Sequence, residues 1–286
     1  MSSPARAPLE LTSTANPRVK SLIALRRRRS REESRLTLVE GYPEIGLALA
    51  AGCRPQALYY CPELRQGRDD EGLAQRCAQA GADVFRLSRP VFEKVAYRES
   101  PDGWLAVVPS VATDLGSLQL GPDPLLLIGE SIEKPGNLGA MLRTADAAGA
   151  AAVITADPVA DWGNPNLVRA SKGTVFSVPV ASAAGPDLLR WLKDRSITVV
   201  ATTPDTDRPF TDLDYRGPVA IVVGAEDQGL STLWLEQCDA TVTIPMWGRV
   251  NSINVATSAA LVLYEAVRQR HLTAPPAMGG NHPRRT

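Results

Sequence analysis

An asparagine and an arginine follow a predicted strand in the second half of the chain, at a spacing that suits anion binding. An apolar run ends at Ile128, Asn137 can cap the next helix, and Arg143 comes six residues later. The guanidinium then lies near the carboxyl end of the strand, where it can bind a phosphate or stabilise an oxygen that gains negative charge. A helix cap followed by a surface arginine in an ion pair explains the same spacing.

A second polar segment places a carboxylate between two glycines. The apolar strand stops at Gly224, Glu226 follows, and Gly229 precedes a predicted helix. Glycine allows a ligand to approach the backbone closely. A strand-to-helix loop with Ser231 as the helix cap accounts for the same residues.

A third segment leads from a strand into the last predicted helix. It runs from Ile244 through proline, glycine and small polar residues to Ser252 and Asn254. Backbone N–H groups at a helix N-terminus have no partner within the helix, so negative charge is favoured there. Helix capping is again the alternative, and no single segment defines a function.

Composition argues against metal and membrane chemistry. The four cysteines form no C-x-x-C pair, and the two histidines, His271 and His282, lie beyond the polar segments. We therefore expect no metal site, no disulfide framework and no histidine-based triad. No apolar run approaches the ~20 residues of a spanning helix, and the N-terminus lacks a secretory signal, so we expect a cytoplasmic protein without membrane contact.

The pattern of apolar runs predicts an α/β protein with two domains. Residues 36–109 alternate strands at 36–40, 57–61, 83–87 and 104–108 with helices at 43–51, 70–80 and 90–96. Residues 110–124 are rich in glycine and proline and predict a linker. Residues 125–273 predict parallel strands at 125–128, 152–155, 175–180, 197–201, 219–223 and 240–244, with helices at 138–148, 165–170, 187–194, 232–238 and 254–270. Residues 274–286 predict a disordered tail.

The formal net charge is zero, but residues 1–35 form a basic extension with a predicted helix capped by Asn16. Residues 16–35 contain eight basic and two acidic side chains. Such a cluster can neutralise phosphates, and a solvated helix face is the alternative. The candidate RNA-binding residues are Arg18, Lys20, Arg26, Arg27, Arg28 and Arg29.

In combination, the three polar segments resemble the motifs of the SpoU (TrmH) family of 2′-O-ribose RNA methyltransferases, which belongs to the SPOUT superfamily. The pattern N-x-G-x-x-x-R-T-A occurs at 137–145 and G-x-E-x-x-G-L at 224–230. The pattern I-P-M-x-G-x-x-x-S-L-N-V occurs at 244–255, with Ile253 in place of leucine. The first domain is similar in its β/α order to the ribosomal-protein-L30-like substrate-binding module of that family.

This resemblance implies a fold and a cofactor. The fold is a C-terminal SPOUT-type knotted parallel-sheet methyltransferase domain, paired into a homodimer, with a smaller N-terminal L30-like α/β RNA-binding domain. The cofactor is S-adenosyl-L-methionine. The implied cofactor-binding residues are Thr202, Thr203, Gly224, Ile244, Met246, Ile253 and Asn254.

The implied reaction explains the polar residues. A ribose 2′-hydroxyl is a weak nucleophile, so the site must orient it and stabilise negative oxygen. Arg143 fits that role better than that of a base, because a guanidinium hardly ever loses its proton. Ser252 can relay the proton, while Asn137, Glu226 and Asn254 hold the arrangement.

The substrate is less defined than the reaction. The extra N-terminal domain favours ribosomal RNA, with 23S rRNA and antibiotic resistance as the more detailed hypotheses. Transfer RNA remains an alternative substrate, and a catalytically silent RNA-binding module is an alternative of another class. A nucleotide-binding oxidoreductase is disfavoured because no G-x-G-x-x-G follows a strand.

Overall fold

The structure is a computed structural model that describes residues 8–65, 70–250 and 252–271. The predicted disordered tail 274–286 and the first seven residues of the basic extension lie outside the described residues. Two β-sheets organise the rest of the chain, one in each half.

The N-terminal sheet is mixed, with strand order β1-β4-β3-β5-β2. Strands β2 and β3 run antiparallel to β5, and β4 runs parallel to β1 and β3. The strands are β1 (Leu9–Leu11), β2 (Leu36–Glu40), β3 (Ala57–Tyr60), β4 (Asp83–Leu87) and β5 (Trp104–Pro109). The helices are α1 (Pro17–Ala24), α2 (Arg28–Ser34), α3 (Tyr42–Ala50), α4 (Asp70–Gln79) and α5 (Arg89–Val95).

The C-terminal sheet is parallel throughout, with strand order β11-β9-β10-β6-β7-β8. Its strands are β6 (Leu125–Glu130), β7 (Ala152–Ala156), β8 (Val180–Ala183), β9 (Thr198–Thr202), β10 (Val219–Val223) and β11 (Ala240–Val242). The helices are α6 (Pro135–Ala148), α7 (Pro165–Ala170), α8 (Gly185–Lys193), α9 (Thr232–Gln237) and α10 (Val255–His271). The prediction of an α/β protein with a parallel C-terminal sheet is confirmed.

Helices cover both faces of this sheet because its strands are apolar on both sides. Leu125 and Leu127 pack in one core with α6, α7 and α10. Leu126 and Ile128 point the other way and pack in a second core with α8 and α9. The alternation of side chains along a strand thus assigns each helix to one face.

The predicted basic helix over 16–35 is wrong as a single element, because α1 ends at Ala24 and α2 begins at Arg28. Arg31 explains the break. Its buried guanidinium donates to the carbonyls of Leu25 at 3.0 Å and Arg26 at 2.8 Å. A side chain from the second helix therefore satisfies carbonyls that a continuous helix would have used.

The predicted strand at 175–180 is also wrong. Thr174–Phe176 forms a 3₁₀ helix that starts after Gly173, whose φ is +85°, and β8 begins only at Val180. Pro179 has no N–H to donate to a sheet, so the apolar run before it packs as a turn. Strand β1 was not predicted from the sequence, because its three residues are too few to show an alternation of apolar and polar side chains.

The predicted linker 110–124 contacts both halves of the chain. Its Ser110 donates a backbone hydrogen bond to Arg35, and Thr113 accepts one from Ser182 on β8. The 3₁₀ helix Leu115–Ser117 lies within it, and nearby leucines cover the second core. Within the described residues, no helix combines the length and apolar composition required to span a membrane.

Candidate active site

A cavity of about 610 Å³ lies at the carboxyl ends of β9, β10 and β11, where these parallel strands meet the start of α10. Its walls come from the loops that follow the strands and from residues 252–258. The carboxyl edge of an open α/β sheet is the usual position of a ligand site, and small-molecule pockets have volumes of about 300–1,000 Å³.

The structure gathers most of the candidate cofactor-binding residues at this cavity. Six of the seven form part of its wall, namely Thr202, Thr203, Gly224, Ile244, Met246 and Ile253. Asn254 lies between two wall residues but is not itself part of the wall. The hydroxyl of Thr202 is buried and has no hydrogen-bond partner among the described residues.

Glu226 is the centre of a polar cluster beside the cavity. Its carboxylate accepts hydrogen bonds from Asn137 Nδ2 at 2.8 Å and Asn254 Nδ2 at 2.7 Å, and it forms an ion pair with Lys134. Asn254 Nδ2 also lies 3.1 Å from Asn137 Oδ1. These residues meet because β6 and β10 are neighbours, so the loops after both strands lie at one edge of the sheet.

Electrostatics keep Glu226 ionised. Hydrogen bonds from Lys134 and Asn137 lower the pKa of the Glu226 carboxyl, and the same ion pair raises the pKa of Lys134. A carboxylate with a lowered pKa is a poor proton acceptor at neutral pH. The geometry therefore suits Glu226 for holding two asparagine side chains rather than for transferring a proton.

Asn137 does not cap its helix as predicted. The helix begins at Pro135, whose missing N–H suits the first helical position, and Lys134 is the N-cap residue. The side chain of Asn137 instead crosses to Glu226. Asn254 does act as a cap, because its Oδ1 accepts from the backbone N–H of Ala256 at 3.0 Å.

Arg143 and Ser252 stand apart from the Glu226 cluster. Arg143 is exposed on α6 and binds no acceptor among the residues that the structure describes, and it is not part of the cavity wall. Ser252 is exposed on that wall. Sequence reasoning missed Lys134 as a member of the cluster, because its position before Pro135 gives no sign of a partner 92 residues away.

Comparison with known proteins identifies the family. Residues 124–264 match the SpoU rRNA Methylase family, and residues 16–106 match an MRM3-like substrate binding domain. The chain is 31% identical to the 23S rRNA (guanosine-2'-O-)-methyltransferase RlmB of Ralstonia nicotianae, over 83% of this chain and 97% of the relative. The chain belongs to the SpoU rRNA methylase family.

A second relative and a solved structure extend this finding. The 23S rRNA (uridine(2479)-2'-O)-methyltransferase of Streptomyces viridochromogenes is 38% identical over 60% of this chain, and the match spans only 62% of that relative's length. The SpoU methyltransferase AviRb from the same organism, solved with AdoMet, superimposes with a TM-score of 0.78 and 32% identity. That superposition covers 89% of this chain and 98% of AviRb.

S-adenosylmethionine is therefore the cofactor of this SpoU methylase, and the cavity fits it. The unpartnered Thr202 hydroxyl and the polar Thr203 lie at one side, while Ile244, Met246 and Ile253 supply apolar surface. Such a mixture suits a ligand with both polar and apolar parts. The trefoil knot implied by the family resemblance stays a prediction.

Gly224 lines the cavity and also has a structural role, while the predicted approach of a ligand to its backbone stays a prediction. A Cβ at this position would lie 2.1 Å from the carbonyl carbon of Gly229, because the loop folds back on itself. The amide of Gly229 donates to the Ala225 carbonyl at 3.0 Å, and its φ is +67°. Glycine at 224 thus allows the tight loop that presents Glu226.

The candidate RNA-binding residues of the basic segment are exposed, but several also bind within the protein. Arg26 donates to the carbonyls of Lys94 and Ala96, and Arg28 donates to the Val159 carbonyl. Arg18 lies over the Phe85 ring at 4.5 Å, and Arg28 and Arg29 form i,i+4 ion pairs with Glu32 and Glu33. Lys20 and Arg27 bind no acceptor among the described residues.

The described residues contain no group of three histidine, cysteine or acidic side chains that could hold a metal ion. The cysteines are unpaired. Burial raises the pKa of Cys61 and of Cys77 to about 11, so both remain neutral thiols at physiological pH.

Proposed function

We propose that this SpoU methylase transfers a methyl group to a ribose 2′-hydroxyl of ribosomal RNA. The observation that carries the proposal is the cluster in which Glu226 binds Asn137 and Asn254 beside the cavity. Asn137 lies on α6, the helix that also bears Arg143, and Arg143 binds no acceptor among the described residues. The arrangement places an exposed arginine on the helix whose first turn joins the cluster beside a ligand-sized cavity. It suits a reaction in which an anionic substrate must be oriented.

When bound, S-adenosylmethionine supplies an electrophilic methyl group. The side chains of this chain bind and orient the other reactant. The Arg143 guanidinium binds the phosphate next to the target ribose and stabilises negative charge on the 2′-oxygen. Ser252 relays the hydroxyl proton, since its Oγ accepts that proton as its own hydroxyl proton passes to water, while Glu226 keeps both asparagines in place.

For the substrate we propose 23S rRNA. The two relatives described above are named as methyltransferases of this RNA, one acting on guanosine and the other on uridine. The target base therefore differs among relatives of similar identity.

Antibiotic resistance is a further hypothesis. Comparing the growth of a deletion strain with that of its parent on ribosome-targeting antibiotics tests it.

We also propose a homodimer formed through the C-terminal domain. Leu261 and Tyr264 on α10 are 41% and 47% exposed, and Trp247 and Val250 in the preceding loop are 95% and 63% exposed. A second copy of the chain would cover this apolar surface. Sedimentation of the wild type and of a Leu261→Arg variant tests the assignment, since only the variant should sediment as a monomer.

The reaction is tested with methyl-labelled S-adenosylmethionine and deproteinised 23S rRNA, intact ribosomal subunits or total tRNA. A methylated 2′-oxygen cannot assist strand cleavage, so ribose methylation places the label in alkali-resistant dinucleotides. Label in mononucleotides would indicate base methylation. Label on tRNA but not on rRNA would contradict the proposal that rRNA is the substrate. No label on any RNA would favour a catalytically silent RNA-binding module.

A further inference from the structure

Residues 171–173 form a turn after α7 that lies between the helix bearing Arg143 and the N-terminal domain. On one side is Gly139 of α6, where a Cβ would lie 2.8 Å from the backbone nitrogen of Ser171. On the other side is Gly173, where a Cβ would lie 3.2 Å from the Cα of Glu44 on α3. The first contact is closer than Cβ atoms approach in proteins, and the second is tighter than most Cβ contacts, so the turn packs closely against both domains.

Hydrogen bonds within the turn fix its shape. The buried Ser171 hydroxyl donates to the Val168 carbonyl at 2.9 Å, and the Thr174 hydroxyl donates to the Ser171 carbonyl at 2.9 Å. Lys172 has a φ of +52°. This left-handed conformation is unfavourable for a residue with a side chain, so the surrounding contacts must impose it.

Two cations point outward from this rigid turn. Arg169, at the end of α7, and Lys172 are both exposed, and neither binds an acceptor among the described residues. Arg143 lies one helical turn after Gly139 on the same stripe of α6, and it is equally free. We call Arg143, Arg169 and Lys172 the junction strip, because they extend from the candidate active site to the boundary between the domains.

The junction strip differs from Arg26, Arg28 and Arg29 of the basic N-terminal segment in its availability to a ligand. Arg26, Arg28 and Arg29 of that segment bind carbonyls or carboxylates of the protein. A cation already engaged with an internal acceptor gains less from a phosphate. Three unengaged cations on a rigid support are better suited to fix the path of a polyanion.

We propose that Arg169 and Lys172 bind backbone phosphates of the RNA strand that flanks the target nucleotide, where the strand passes from the reaction site to the N-terminal domain. This inference rests on the proposed function, because it assumes that RNA is the substrate. It assigns to the methyltransferase domain a phosphate-binding element that none of the three sequence motifs contains. The contacts are to phosphates, so they position the RNA without reading its sequence.

The test compares the double variant Arg169→Gln/Lys172→Gln with a control of equal charge change, Lys193→Gln/Arg195→Gln, whose cations bind Gln237 and the Trp191 carbonyl. The control removes two exposed cations at and just after the end of α8, on the opposite face of the sheet. Binding of deproteinised 23S rRNA is measured over a range of KCl concentrations. We expect the double variant to bind on the order of ten-fold more weakly at low salt, with a salt slope shallower by about 1.4 for two single-strand phosphate contacts.

The control should keep the wild-type affinity and slope. Binding of S-adenosylmethionine, measured by calorimetry, reports whether each variant keeps its fold. If the double variant does not fold, the single variant Arg169→Gln replaces it, and its salt slope should be shallower than that of the wild type by about 0.7. An unchanged slope in a folded variant overturns the inference while the reaction stands. A different outcome is that the wild type transfers no methyl group while the double variant still binds RNA more weakly than the wild type. That result would support phosphate binding by the junction strip and reject the proposed function.

Discussion

The side chain of Asn254 donates from Nδ2 to the Glu226 carboxylate at 2.7 Å, while its Oδ1 caps α10. One asparagine thereby joins the start of the last helix to the loop after β10. The same carboxylate also holds Asn137 on α6. The loop after β10, the start of α10 and the first turn of α6 are thus connected through one carboxylate.

Arg143→Ala should reduce methyl transfer by about 10²–10³-fold, the usual cost of removing a group that stabilises developing negative charge. Arg143 is exposed and unpaired within the described residues, so the thermal unfolding midpoint should change little. Transfer of labelled methyl and calorimetric binding of S-adenosylmethionine measure the two effects. Near-normal turnover in this variant would remove Arg143 from the mechanism, and Arg143→Lys tests whether charge alone suffices.

Glu226→Gln should loosen the cavity edge at neutral pH, because a neutral amide cannot pair with Lys134. The folded-state pKa of Glu226 is lowered, so the carboxylate stabilises the fold above its unfolded pKa of about 4.3 and loses that contribution as pH falls through the folded pKa. The difference in unfolding midpoint between wild type and variant should therefore be largest near pH 7 and shrink as the pH falls through the lowered pKa of Glu226. A difference independent of pH would contradict the ionic role.

Gly139→Ala should destabilise the protein by about 1–3 kcal/mol through overpacking, because the added Cβ would lie 2.6 Å from the Cβ of Ala170. Gly136→Ala is the matched control in the first turn of the same helix, where a Cβ meets nothing within 4 Å. That control should be neutral or stabilise by up to about 1 kcal/mol. Denaturant unfolding of both variants measures the contrast, and equal effects would contradict the close packing.

Arg31→Ala should destabilise the protein by about 3 kcal/mol. The guanidinium is 4% exposed and binds both carboxylate oxygens of Asp161, which joins α2 to the loop after β7. Its removal leaves the partly buried carboxylate without its cation. Arg29→Ala, which breaks an exposed pair with Glu33, should cost less than about 1 kcal/mol in the same denaturant assay.

Lys20→Gln/Arg27→Gln should weaken RNA binding and make its salt slope shallower by about 1.4, because both cations are exposed and bind no acceptor among the described residues. Arg26 and Arg28 are less suitable probes, since their substitution also removes hydrogen bonds to backbone carbonyls. Filter binding at several salt concentrations measures the slope. An unchanged slope would mean that these basic helices form only a solvated surface.

The sequence by itself determined the α/β class, nearly every strand of the parallel sheet, and the three polar segments, because apolar periodicity and strand-end residues are local signals. Only the tertiary structure decided which polar residues meet. Asn137 binds Glu226 across 89 residues because β10 lies beside β6, and apolar periodicity does not reveal strand order. Arg31 was predicted to lie on a basic helix, yet it is buried against Asp161, because the docking of two domains outweighs a local charge pattern.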